Sequence, residues 1–164
     1  SILFSGFVYV VKILNIINKT LCNKNYKNLL ITMFLGKLNI ENGELEYCSA
    51  GHCRPYKLGE KIVQLGSTNG IPIGIDEKHL FKTKKIKLQE KEKVIIYTDG
   101  LTEARNINRE FFGEEKLENV MRKIKKAPIK DILKHIMNSV NSFTLAAKQS
   151  DDITILAIKW KEKL

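Results

Sequence analysis

The chain reads as an α+β domain in which mostly antiparallel β-sheets are flanked by helices. Three observations predict this. Short runs rich in β-branched residues follow one another from Leu29 to Thr98, mostly with turn-length gaps, which favours antiparallel neighbours over crossovers. Two amphipathic helical patterns then occupy residues 113 to 143. A last apolar run, Ile153 to Trp160, returns to strand. With 164 residues, and no internal repeat, low-complexity tract or linker, the expectation is a single domain spanning 1–164.

Leu3, Phe7, Val10, Leu14, Ile17 and Leu21 form a three-four stripe, which predicts a largely buried helix ending near Asn23-Lys24-Asn25. The β-branched residues from Val8 to Val11 would also suit a strand. Leu29 to Leu38 reads as a strand, with Asn42-Gly43 as a two-residue hairpin turn into Glu44 to Ala50. Gly51 to Pro55 breaks that strand before Tyr56-Lys57-Leu58, and Gly59-Glu60-Lys61 turns into Ile62 to Leu65. Gly66 to Gly74 is loop, punctuated by Gly70-Ile71-Pro72-Ile73-Gly74. Leu80 to Leu88 and Val94 to Thr98 form another pair of strands. Beyond them, Leu117, Val120, Met121 and Ile124 mark a helix with Glu114 and Glu115 in its first turn, where the dipole favours acids. Pro128 opens a further helix through Ile132, Leu133, Ile136 and Val140.

Composition narrows the function. The net charge of +10 and pI near 9.5 invite a nucleic-acid reading. The basic residues are overwhelmingly lysine and are scattered along the sequence, so we expect solvated faces and no nucleic-acid site. The densest run, Lys82 to Lys87, alternates like a half-exposed strand. Three cysteines, an odd number without a secretory leader, suggest a reducing, cytoplasmic setting. Cys48 and Cys53 flank His52, yet no second Cys/His pair stands at ligand spacing, which argues against zinc. No apolar stretch reaches the ~18 residues of a membrane span, so no membrane contact is expected of this segment. The chain begins inside an apolar pattern, at Ser1, and has no initial Met, which reads as a fragment of a longer protein with room for an upstream sensor domain.

Two acidic stretches carry the chemistry. Asp99 follows the apolar run Val94 to Thr98, and Asp151-Asp152 precedes Ile153 to Leu156. If those strands are antiparallel neighbours, Asp99 and Asp151 project from one edge of the sheet. Two like charges ~4 Å apart repel by ~4 kcal/mol at an effective dielectric near 20, so a shared proton or a bound cation must relieve them. Oxygen ligands without convergent His or Cys favour Mg²⁺ or Mn²⁺. Either acid alone reads more readily as a turn or N-cap residue, and the pair is what favours a metal.

Six landmarks in order resemble one family: Thr32 to Gly36, Ala50-Gly51-His52 with Pro55, Gly70 to Gly74, Tyr97 to Ala104, Phe112-Gly113 and Gln149 to Thr154. Together they look like the bacterial SpoIIE/RsbU branch of the PPM-type (type 2C-like) serine/threonine phosphatases. The resemblance implies a four-layer αββα sandwich and metal-dependent hydrolysis of phosphoserine on a regulatory protein such as an anti-sigma-factor antagonist. In that chemistry two Mn²⁺ or Mg²⁺ ions activate water for in-line attack and neutralise the phosphoryl oxygens. Asp99 and Asp151 match the family's second and third acidic ligand positions, and are the expected catalytic and metal-binding residues. Asp152 and Gly100 stand beside them, and Thr98 and Thr154 flank them, as supporting candidates. His52 is a candidate proton donor to the leaving serine oxygen, although a turn residue bonded to backbone is the favoured reading. The family's first ligand, an Asp in a Gly-rich stretch ahead of the first helix, has no match here. The expectation is therefore divided. Either the motif lies upstream, or the module is a degenerate, catalytically inactive phosphatase fold that binds a signalling partner.

Overall fold

The computed structural model describes residues 10–24, 29–145, 147–149 and 151–161. In chain order its elements are α1 (Val10–Lys24), β1 (Met33–Leu38), β2 (Glu44–Ala50), β3 (Tyr56–Leu58), β4 (Ile62–Gln64), β5 (Lys84–Lys87) and β6 (Lys93–Tyr97). There follow α2 (Asp99–Thr102), α3 (Gly113–Ile124), α4 (Ile129–Thr144) and β7 (Ile155–Lys159). The chain divides into two compact units, Ser1–His52 with Gly66–Lys87, and Cys53–Leu65 with Leu88–Leu164.

The first unit holds a three-stranded antiparallel sheet in the order β1-β2-β5. Helix α1 lays Val10 and Leu14 against Cys48, Ala50, Ile73 and Phe81, with Ile17, Leu21, Met33 and Leu35 at the margin. That is the three-four stripe read from sequence; its Leu3 and Phe7 lie outside the described residues. One polar residue shares the buried face. Asn18 donates to the Asp76 carbonyl at 2.8 Å and accepts the Gly74 amide at 2.9 Å, which ties the helix to the loop. Gly51 has a φ of +70°, and a Cβ there would lie 2.6 Å from the Pro72 ring. The glycines and proline of these two landmarks thus serve close backbone packing within the first unit.

The second unit holds a four-stranded sheet, β4-β3-β6-β7, with every pairing antiparallel. Strand β6 lies between β3 and β7, so Val94, Ile95 and Tyr97 are almost wholly buried. Ile95 and Tyr97, two residues apart and hence on one face, join Tyr56 and Leu58 in a core. The apolar stripes of α3 (Leu117, Met121) and α4 (Ile132, Ile136, Val140) complete it. Antiparallel sheets flanked by helices are the fold class expected.

Differences are local and have physical causes. β1 begins at Met33 rather than Leu29, because Ile31 exchanges its backbone bonds with Ile73 instead of continuing the ladder. The Asn-Gly hairpin is longer than two residues. Asn39 takes part through its amide to Glu44 and its carbonyl from Gly43, and the Asn39 and Asn42 side chains accept the amides two residues on. β5 is confined to Lys84–Lys87, since Leu80 is 74% exposed and does not enter the sheet.

Candidate functional site

Strand β6 runs out at Tyr97 and β7 begins at Ile155, and these two residues are paired. The loops that follow one strand and precede the other therefore leave the sheet at one edge. How they are joined depends on Thr98. Its amide donates to the Thr154 carbonyl at 3.1 Å, as in a continued ladder, but its own carbonyl accepts the Leu101 amide and starts the short helix α2. The Thr98 hydroxyl stands in for that carbonyl. It accepts the Thr154 amide at 3.0 Å and donates to the Asp152 carbonyl at 3.1 Å. A β-branched residue suits the extended backbone here, φ −85° and ψ 156°, and its hydroxyl couples the two acidic loops.

Gly100 lets them close up further. A Cβ at this position would lie 2.4 Å from the Asp152 carbonyl oxygen, so no side chain fits without moving backbone. The two aspartates then share one arrangement. Asp99 Oδ1 accepts the Gly100 amide at 3.0 Å, and Asp151 Oδ1 accepts the Asp152 amide at 2.7 Å. Each carboxylate is oriented by the next amide in the chain, and both residues are exposed. Six of the expected residues, Thr98, Asp99, Gly100, Asp151, Asp152 and Thr154, are thus gathered in the second unit. His52 belongs to the first, where its carbonyl accepts the Ser49 hydroxyl at 3.0 Å.

The surroundings are acidic. The Cys53 thiol is pushed up by burial first, then by the charges of Asp99, Glu114 and Glu103. Tyr56 is pushed up to about 12 by burial and then by Glu114. Tyr97 rises in the same direction for the same leading reasons, and its hydroxyl reaches Glu114 at 3.4 Å. Glu114 also accepts from Gln64 at 3.0 Å. In the sequence Glu114 is marked only as an acid in a helix's first turn, and nothing there signals α2 or the acidic field at Cys53. Those follow from tertiary placement.

The donor chemistry fits a hard divalent cation: carboxylate oxygens in a negative field, held by backbone amides. Among the described residues, no group of three or more His, Cys, Asp or Glu side chains could hold a metal ion. Asp99 and Asp151 offer two carboxylates to such an ion, fewer than a complete ligand set.

Solved structures share this fold. The RsbU and RsbW domains of Rv1364c from Mycobacterium tuberculosis superpose with a TM-score of 0.81 at 23% identity, covering 98% of this chain and 44% of that one. The Mn-presoaked phosphatase domain of SpoIIE from Bacillus subtilis gives 0.67 at 14% identity, covering 98% and 70%. The SiaA PP2C domain of Pseudomonas aeruginosa gives 0.63 at 21%, covering 73% and 47%. The fold is thus that of a PP2C phosphatase domain. Residues 8–161 match the family model described as stage II sporulation protein E, and the chain belongs to that SpoIIE family, in the SpoIIE/RsbU branch of PPM-type phosphatases. Protein IcfG of Synechocystis sp. is 33% identical over 138 residues, 79% of this chain and 20% of IcfG. The phosphoserine phosphatase RsbU of Bacillus subtilis is 24% identical over 139 residues, 82% of this chain and 40% of RsbU. The chain therefore spans well under half the length of these curated relatives.

Proposed function

We propose that this chain forms part of a divalent-metal-dependent phosphatase that hydrolyses phosphoserine on a cytoplasmic regulatory protein. The observation that carries this is the closure of the two acidic loops, through the Thr98 hydroxyl and the bare backbone of Gly100. Asp99 and Asp151 would hold the Mn²⁺ or Mg²⁺, two ions in the complete site. When bound, the ions supply Lewis acidity at the phosphoryl oxygens and a nucleophile at neutral pH. The amides of Gly100 and Asp152 fix the carboxylates, and Thr98 keeps Asp152 and Thr154 in register with Asp99. Such a centre needs at least one further acidic ligand from outside the described residues. Without one, the same fold would bind a signalling partner and not turn it over. The kinship with RsbU, named a phosphoserine phosphatase, supports a phosphoserine substrate. A small antagonist of an anti-sigma factor is the partner class that fits, supported by the RsbU and RsbW domains of Rv1364c.

The test is phosphate release from a phosphoserine peptide by the full-length protein. The expected result is activity that requires Mn²⁺ or Mg²⁺ and falls to background in Asp99→Asn and Asp151→Asn. Activity that ignores chelation, or survives intact in both variants, rejects the assignment.

A further inference from the structure

The end of the four-stranded sheet remote from Asp99 and Asp151 opens into a groove of about 1160 Å³. The register fixes its place. Lys93 pairs with Lys159 at that end, four residues along β6 from Tyr97 and Ile155, or roughly 13 Å of strand. Four stretches far apart in the chain build the walls, and each brings two lysines. The β3–β4 hairpin supplies Lys57 and Lys61, and the turn into β6 supplies Lys91 and Lys93. The α3–α4 junction adds Lys125 and Lys126, and the end of β7 adds Lys159 and Lys161.

Three carboxylates, Glu60, Glu90 and Glu92, face these eight lysines, which leaves a large positive excess. Glu92 is already engaged, by Lys57 at 2.5 Å and by the Gln89 amide at 2.9 Å. Lys93 is only 6% exposed and donates to the Lys125 carbonyl at 2.8 Å. Burial first, and then Lys159, pushes its ammonium below the usual lysine range. The exposed lysines around it form a positive field that favours an anion. Helix α4 begins at the groove and adds the positive end of its dipole. Val63, Ala127 and Ile129 stand among the lysine stems and offer aliphatic surface.

We propose that this groove docks an acidic, extended segment of a partner protein, its carboxylates on the lysines and its aliphatic side chains against Val63 and Ile129. Among the described lining residues there is no aromatic side chain on which a base could stack and no arginine to clamp a phosphate. A concave channel also suits a peptide better than a flat bilayer. Nothing in this depends on hydrolysis at the other end of the sheet.

Fluorescence anisotropy of the full-length protein with a short labelled peptide of alternating Glu and Leu tests it. The expected result is binding at low salt that weakens at least about tenfold in Lys61→Glu/Lys126→Glu/Lys161→Glu. All three positions are exposed, and circular dichroism checks the fold of the variant. The matched variant Lys12→Glu/Lys19→Glu/Lys134→Glu should keep the affinity. In the unaltered protein, bound peptide should shield the groove lysines from acetylation. Equal loss in both variants, no shielding, or tighter binding of a DNA oligonucleotide or of phosphatidylglycerol vesicles than of the peptide overturns the proposal.

Discussion

Thr98 shows how one side chain can carry an architecture. Its hydroxyl serves two backbone groups of the neighbouring loop while its carbonyl turns into α2. Thr98→Val keeps the shape and the extended backbone but leaves the Thr154 amide and the Asp152 carbonyl without that partner. The expected cost is about 0.5–1.5 kcal/mol by urea unfolding, since both groups are partly open to water. Divalent-metal affinity should fall with it; an unchanged affinity would mean that the loops are held by other contacts. A second prediction concerns Tyr56. Burial and Glu114 disfavour its phenolate, so the folded chain holds the proton more tightly than the unfolded chain. That contribution is complete below pH 10, the ordinary tyrosine value, and is lost as pH rises through about 12. The melting temperature should therefore drop across this window, and drop less in Tyr56→Phe. At this scale the sequence was partly legible. Asp99 and Asp151 stood out because each acid sits at the boundary of an apolar run. The hydroxyl bridge did not, because a threonine in a strand needs no such role.

The second unit depends on one central strand and two helices. Ile136 of α4 and Leu117 of α3 are fully buried in the core that includes Ile95 and Tyr97 of β6. Ile136→Ala should cost about 2–5 kcal/mol, the range for truncating a packed aliphatic side chain. A loss under about 1 kcal/mol in equilibrium unfolding would show that α4 is only loosely applied to the sheet. Elements with strong periodicity were readable in advance. The α3 and α4 stripes, the β2 span and the β3–β4 hairpin follow from apolar spacing and turn residues. What could not be read was where each ladder stops. β1 is cut short by a bridge between Ile31 and Ile73, 42 positions apart, and β5 by a loop that leaves Leu80 in water. Local pattern holds no record of such partners.

Across the whole molecule the same limit applies to charge. Along the sequence the lysines look scattered, as on solvated faces. Eight of them, from four distant stretches, line one groove once the second unit has folded. The family, by contrast, was legible because its landmarks are short, ordered and tied to backbone needs. Gly51 approaches Pro72, and Gly100 approaches Asp152. Membership of the SpoIIE family and the PP2C fold follow from the matches over residues 8–161 and from the solved structures. Among the described residues no helix is long and apolar enough to cross a membrane. We propose that Asp99 and Asp151 together hold a divalent cation. Calorimetric titration of Mn²⁺ into the full-length protein tests it most directly. We predict tight binding that is lost in Asp99→Asn and again in Asp151→Asn, while both variants stay folded; an isotherm identical in all three proteins would contradict it.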